Sequence, residues 1–377
     1  MLVVLRLRRL PSTGTTQHRT ERTNLGSPLS GRTVDPSDIV VLTKLYTMQQ
    51  APAISDHHIG VGFGTAAMRG NCPEIVTMAL EAGFRKFDTA EEDDWWYDQK
   101  GVGAALEAFF VGEPIDDECN AQECSRTCAS EDLRISTKIP PWKLTSASAI
   151  RESARQSREE ILGFCEDAVL SDEDGIMTET LPFPLDVYYI HAPRCWDGWH
   201  PRCKDAGPTL PLREAWKAME AVVGIDQSAR RIGLSNIWPN DLLDIIQFVR
   251  ERPADSYPPP RMPDVIQAFA DPLQPNAELR RVCHEHGIEF VSYSTLGTQH
   301  RAAGGNPVLT STTVKDLATR HDRSVAEVVL SWALQKGMSV IPRSGNRQHI
   351  DELSNLLSMP PFLNELDMQA MDAMSLN

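Results

Sequence analysis

From Ile59 onward, short β-type runs alternate with helix-type stretches, and the alternation runs eight times. Runs rich in Val, Ile, Phe and Tyr predict strands at 59–64, 84–87, 133–137, 187–190, 231–234, 265–268, 290–293 and 339–341. Stretches with helical periodicity lie between them, near 73–81, 102–110, 148–164, 212–223, 276–286, 311–321 and 349–357. Another helix is expected from a cap at Asn240 to about Arg250. Two extra amphipathic stretches, 324–335 and 364–374, complete the pattern. A strand followed by a helix places the next strand parallel to it, and eight such units close into a (β/α)8 TIM barrel. An open doubly wound sheet would share the alternation. It is disfavoured because Gly60, Gly62 and Gly64 lack a third glycine at the offset a dinucleotide turn requires.

The expected organisation is one barrel domain over 53–377, preceded by an N-terminal extension, 1–52, expected to be disordered. Within the first fifty residues there are seven Lys or Arg against three acids, and Arg6, Arg8, Arg9, Arg19 and Arg22 sit among Ser and Thr. Two readings stand: an organellar transit peptide, or a disordered extension or early start with Met48 as the true beginning. The second is preferred because Pro11 interrupts an already weak amphipathic pattern. Two long acidic insertions, 111–131 and 165–183, interrupt the barrel elements and are expected to be surface loops.

At 41% apolar residues the chain can fill a large core, and no apolar run approaches the roughly 20 residues of a membrane helix. A net charge of −15 repels phosphate backbones, so neither nucleic acid nor a membrane is an expected partner. The eight cysteines are spread over the whole chain, which fits reduced thiols in a cytoplasmic enzyme better than a disulfide framework. No metal site is expected. Cys119, Cys124 and Cys128 lack a fourth ligand, Cys283-His284-Glu285-His286 reads as a helix end capped by histidine, and 172–175 lacks the distal Glu of a calcium loop.

Chemistry in a barrel sits at the C-terminal ends of the strands. There the sequence delivers Asp88, Lys138, His191, Ser235, Asn236, Gln267, Tyr293, Ser294, Arg343 and Ser344 to one face. An Asp, a Lys, a His and a nearby Tyr form a proton-donor set. Reduction of a carbonyl leaves an alkoxide that must be protonated. A Lys held by an Asp would lower the pKa of a neighbouring Tyr, and a His could orient the carbonyl oxygen.

The segments 83–90, 136–138, 186–191, 232–236, 293–297 and 341–344 together resemble the aldo-keto reductase family, in that family's order and across about 59–375. The resemblance implies a (β/α)8 barrel that reduces an aldehyde or ketone with NADP(H), the cofactor lying extended across the barrel mouth. It implies a catalytic set of Asp88, Lys138, His191 and a tyrosine. It assigns Ser235, Asn236 and Gln267 to the nicotinamide carboxamide and Tyr293 to stacking on the nicotinamide ring. Ser294, Leu296, Arg343 and Ser344 would meet the phosphates and the adenosine end.

Three departures from the family pattern bear on these assignments. The family's Tyr usually lies five residues after its Asp, where this chain has Asp93, and counting back from Val102 gives Trp96. Tyr97, the only Tyr in that segment, is assigned as the general acid. The usual 2′-phosphate arginine is replaced by His349, with Arg347 nearby. Arg343 stands in place of a common Lys, and arginine suits bidentate phosphate binding, so NADPH is preferred over NADH. The short C-terminal segment suggests an open pocket that Trp95, Trp96, Trp196, Trp199 and Trp238 could line. The expected partner is a small carbonyl substrate, and the expected state is a monomer in the cytoplasm. Two rival readings are a barrel that binds NADP(H) as a sensor with little catalysis, and a structural partner recruited through the two acidic loops.

Overall fold

Each strand of the barrel is two to seven residues long and pairs in parallel with the next strand in chain order. In this computed structural model the described residues are 59–91, 96–111, 132–165, 183–300 and 305–375. The expectations for the N-terminal extension, for Trp95, for Cys119, Cys124 and Cys128, and for most of both acidic loops lie outside them.

The strands are β1 (Phe63–Gly64), β2 (Lys86–Asp88), β3 (Arg134–Ile139), β4 (Leu185–Ile190), β5 (Ala229–Ser235), β6 (Val265–Phe269), β7 (Glu289–Tyr293) and β8 (Ser339–Val340). The circle closes where Val61 bridges Val340 in parallel and Gly62 N–H donates to the Val340 carbonyl at 2.8 Å. Around the strands lie helices α1 (Cys72–Glu81), α2 (Gln99–Phe110), α3 (Ala147–Leu162), α4 (Leu212–Gly224), α5 (Pro239–Glu251), α6 (Ala277–Glu285), α7 (Thr312–His321), α8 (Val325–Gln335), α9 (Arg347–Ser354) and α10 (Glu365–Asp372). The expected (β/α)8 architecture is the observed one. No helix among the described residues is long and apolar enough to cross a membrane.

The helix starts follow capping chemistry. Asp98 and Ser146 each accept from a backbone N–H three residues on, and Ser324 with Glu327 and Asn364 with Asp367 satisfy two donors reciprocally. Asn240 is not the cap expected of it. Helix α5 starts at Pro239, and the Trp238 N–H donates instead to Asp241 Oδ2 at 3.1 Å. A proline favours the first helical position, which moves the boundary ahead of Asn240. His286 closes α6 as expected, with Nδ1 2.9 Å from the Val282 carbonyl.

The core has two layers because each strand side chain points alternately inward and outward. Val187, Tyr189, Val265 and Val291 fill the barrel interior with Ile341 packed against them. Outward-facing residues such as Phe63, Phe87, Ile190 and Leu234 join the helices in a larger shell. At the N-terminal end of the strands Arg231 bridges Asp186 at 2.7 Å and Glu289 at 2.6 Å, and Ser339 Oγ donates to Glu289 at 2.6 Å. The sequence had suggested free thiols throughout. Cys195 and Cys203 instead form a disulfide across a loop with Cα atoms 5.4 Å apart, and Cys165 is disulfide-bonded too. Spacing along the chain carries no record of such a fold-back. Cys72 and Cys283 are free and buried, and burial pushes both thiols up to about 12, which leaves them unreactive.

Gly233 shows how tightly the interior is filled. A Cβ there would meet the Val265 carbonyl oxygen at 2.5 Å and the Tyr189 ring at 2.7 Å. Gly233→Ala is expected to destabilise the fold by about 1–3 kcal/mol through overpacking. Urea unfolding measures this, and an unchanged midpoint would show that the barrel interior yields freely.

Candidate active site

Parallel pairing in close register brings the strand ends together. Asp88 pairs with Ser136, Lys138 with Tyr189, and Ser235 with Gln267, so their side chains gather at the C-terminal mouth. Lys138 is fully buried. Its Nζ donates to Asp88 Oδ1 at 2.5 Å and to the Thr89 carbonyl at 2.7 Å. The other Asp88 oxygen accepts from Gln267 Nε2 at 2.8 Å. The carboxylate is thereby held at both oxygens, and the ammonium has one donor left over.

Tyr97 and His191 sit around that ammonium. Lys138 Nζ lies 5.3 Å from the centre of the Tyr97 ring, and the Tyr97 ring meets the His191 ring edge-on at 5.9 Å. His191 is buried just beyond the end of β4, its N–H bonded to the Ile139 carbonyl at 2.9 Å. The four residues named from the sequence are thus neighbours. Other tyrosines among the described residues are poorly placed to give a proton here. Burial pushes the Tyr188 and Tyr189 phenols up, and Tyr293 up to about 12. Tyr257 is exposed on the surface.

The other predicted positions lie around the same mouth. Asn236 takes a left-handed backbone conformation (φ +55°) at the end of β5 and donates to the His191 carbonyl at 2.9 Å and Ser235 Oγ at 3.2 Å. Tyr293 donates its hydroxyl to Asn236 Oδ1 at 2.6 Å. Ser294 also has a left-handed backbone (φ +53°), and its Oγ accepts from Gln299. Leu296 packs on the outer core. Ser344 Oγ accepts from the Asn346 N–H at 3.1 Å at the start of α9, with His349 Nδ1 3.5 Å away. Arg343 is exposed and makes no ion pair among the described residues. Arg347 is committed to Glu81 and Asp351. An amide-bearing strand end, an aromatic side chain, and an unpaired guanidinium beside a helix start suit an elongated anionic ligand with an amide at one end. The left-handed Asn236 and Ser294, which non-glycine residues rarely adopt, mark the strand ends where the backbone bends to present these groups.

Several contributors were not named from the sequence. Glu91 is buried and accepts from Tyr188 OH at 2.5 Å, Ser153 Oγ at 2.5 Å, Ser157 Oγ at 2.9 Å and Lys143 Nζ at 3.0 Å. Its own N–H donates to the Lys138 carbonyl, which ties the chain just after β2 to β3. Neither Glu91 nor the Thr89 carbonyl has a local signal, because their partners lie on other elements. Trp142 joins the aromatic group at the mouth, 6.2 Å from Trp199. Of the tryptophans proposed as a wall, Trp199 reaches His191 and Trp196 stacks on Trp199. Trp96 and Trp238 are exposed. A cavity of about 650 Å³ lined at the N-terminal end of the barrel by Lys86, Arg134, Arg231 and Glu289 reaches inward to Asp88 and Gln267, but Tyr97 and His191 do not line it.

The model of the Aldo/keto reductase family matches residues 61–375. An aldo-keto reductase family 1 member A1 from Mus musculus is 31% identical over 344 residues, covering 88% of this chain and 89% of that protein. A glycerol 2-dehydrogenase (NADP(+)) from Hypocrea jecorina is 28% identical, covering 87% and 91%. The solved aldose reductase of Giardia lamblia superposes with a TM-score of 0.63 at 22% identity, covering 84% of this chain and 92% of that one. With a matched segment that begins in the first strand and ends after the last helix, this barrel belongs to the aldo/keto reductase family, whose members are oxidoreductases using nicotinamide cofactors.

Proposed function

We propose that this protein reduces an aldehyde or ketone to an alcohol with NADPH, with Tyr97 as the general acid. The observation that carries the reading is the placement of the Tyr97 ring beside both Lys138 Nζ (5.3 Å) and the His191 ring (5.9 Å). When bound, the reduced nicotinamide supplies a hydride. The protein supplies the proton and the geometry. Asp88 and the Thr89 carbonyl fix the Lys138 ammonium, whose remaining donor is free for the phenol. A buried positive charge next to the phenol favours loss of its proton and so makes Tyr97 a usable acid. His191 orients the carbonyl oxygen toward Tyr97. Glu91 anchors the chain just after β2 to β3.

Ser235, Asn236 and Gln267 are assigned to the carboxamide of the cofactor. Tyr293, kept neutral by burial, is assigned to the nicotinamide face. Ser294, Leu296, Arg343, Ser344 and His349 are assigned to the phosphates and the adenosine end, Arg343 taking the phosphate charge. Gln267 has a second duty, since its amide also clamps Asp88. The protein is read as a monomer acting on small carbonyl compounds. The cytoplasm is the proposed compartment.

Tyr97→Phe is expected to lower kcat by about 10²–10⁴-fold while leaving the NADPH dissociation constant unchanged. Stopped-flow and fluorescence titration test it, and a full rate would reject the assignment of the acid. Arg343→Ala is expected to weaken NADPH binding about ten- to a hundredfold and NADH binding less, as for loss of a charge-assisted hydrogen bond. Equal losses for both cofactors would reject the preference for NADPH. Asp88→Leu should cost about 3–5 kcal/mol because it strands the Lys138 ammonium, and adding Lys138→Met should restore most of that. A double variant no more stable than the single one in denaturant would show that the two charges are not a coupled pair.

A further inference from the structure

The chain entering the barrel as β1 has glycine at alternate positions, Gly60, Gly62 and Gly64. Alternate residues of a strand share one face, so this wall sends no side chain inward. Gly60 and Gly62 line the cavity of about 650 Å³ at the N-terminal end of the barrel. A space of that size is within the range of pockets that hold small organic molecules. The glycine run that is one residue short of a dinucleotide turn has its structural role here. The walls of the cavity are mixed. Val61, Val187, Val291, Val340 and Ile341 supply an apolar surface, and Asp88 and Gln267 close the inner end.

Two polar groups on these walls lack a partner. Lys86 is half-buried in β2, and its Nζ stands so close over Gly60 that a Cβ there would meet it at 2.7 Å. It makes no ion pair among the described residues. Tyr189 lines the cavity from β4 at 2% exposure, yet its hydroxyl has no hydrogen-bond partner among the described residues. Burial pushes this phenol up, so it stays protonated and able to donate. The other charges are committed or lie at the rim. Arg231 holds Asp186 and Glu289, and Lys138 holds Asp88. Arg85 donates to the Leu80 and Phe84 carbonyls at 2.9 and 2.8 Å, and Arg134 to the Leu133 carbonyl at 3.0 Å. Arg230 lies over the Phe183 ring at 4.7 Å, and Asp132 is exposed at the rim.

We propose that this cavity is a second ligand site, for a small organic carboxylate with an apolar body. The carboxylate sits on the Lys86 ammonium, the body runs along the valine wall, and Tyr189 donates a hydrogen bond to the ligand. A charge-assisted hydrogen bond to a carboxylate neutralises an ammonium that the fold leaves unmatched. One ammonium suits one negative charge, whereas a phosphate brings nearly two. A buried hydroxyl without a partner costs free energy that an acceptor in the cavity removes. Tyr97 and His191 take no part, so the site is independent of the reductase reading.

The test is isothermal titration of octanoate and acetate into the full-length protein, with and without NADPH. Octanoate should bind more than tenfold tighter than acetate, because its chain is buried, and NADPH should leave its affinity unchanged. Lys86→Met should weaken octanoate about tenfold or more, and Tyr189→Phe severalfold. Removing an unpartnered hydroxyl should not lower the melting temperature of Tyr189→Phe. Should Lys86→Met fail to fold, Gly60→Ala serves in its place, since its methyl would occupy the space over the Lys86 ammonium and weaken octanoate likewise. His191→Ala should bind octanoate as wild type does. Absence of octanoate binding to wild type, an affinity unaltered in Lys86→Met or in Tyr189→Phe, or loss of binding in His191→Ala, which would place the acid at the mouth, would each overturn the proposal.

Discussion

An ammonium with no exposed surface has to be neutralised where it stands. Lys138 is in that position, and everything around it can be understood as a consequence. Removing an ion from water costs several kcal/mol unless a partner of opposite charge and additional hydrogen bonds replace the solvent. Asp88 supplies the charge, the Thr89 carbonyl takes a second N–H, and Gln267 from the far side of the barrel satisfies the second carboxylate oxygen. Three strands are thereby committed to one charged group. A charge held in a water-poor site also acts strongly on whatever lies next to it, because little solvent screens it. The pair that would be a liability in an ordinary core is useful at the mouth of a barrel, beside a phenol.

The two ends of the barrel use charge for different purposes. At the N-terminal end Arg231 joins Asp186 and Glu289, and Ser339 completes the set. There each charge faces one of opposite sign, so the network fastens strands β4, β5, β7 and β8. At the C-terminal end the polar groups bond chiefly to one another and to backbone: Lys138 to Asp88 and the Thr89 carbonyl, Gln267 to Asp88, and Asn236 to the His191 carbonyl. Asn236 accepts from Tyr293 while its amide fixes the His191 carbonyl, and its left-handed backbone is tolerated because these two bonds define it. The cavity that runs from the N-terminal end in to Asp88 and Gln267 is not lined by Tyr97 or His191, so empty space alone does not identify the site. The chemistry of the side chains does.

Much of this was legible in the chain itself. The eight strands, all ten helices of the described residues to within about three residues, and the placing of Asp88, Lys138 and His191 at strand ends follow from periodicity and from the rule that strand ends face one way. Helix α2 was placed too short at its N-terminus, because Asp98 caps it ahead of the apolar run that signalled it. Tyr97 was harder, since extra residues after Ala90 move it away from its usual spacing. Only its approach to Lys138 in space supports the choice over Trp96, which lies exposed. What sequence could not supply were relationships between distant elements: Glu91 gathering Ser153, Ser157 and Tyr188, Gln267 turning onto Asp88, and Cys195 meeting Cys203. Each involves residues of ordinary type whose meaning is set by a partner on another segment.

The disulfide is the most instructive of these. Scattered cysteines in a long chain argue for free thiols as a matter of composition, and Cys72 and Cys283 are indeed free and buried. The bond between Cys195 and Cys203 follows a different logic. A loop that must carry tryptophans at a barrel mouth has few buried contacts of its own to define it, since Trp196 is exposed and Trp199 only half-buried. Stacking of its His200 on Trp142 fixes its inner side, and a covalent bond closes it between Cys195 and Cys203. Barrel strands hold side chains such as Asp88 and Lys138 in place because every neighbour is packed. A loop reaches comparable definition only by adding constraints that the strands do not need. That difference explains why Asp88, Lys138 and His191 could be picked out at strand ends, whereas which tryptophan meets His191 emerged only once the loop was seen folded.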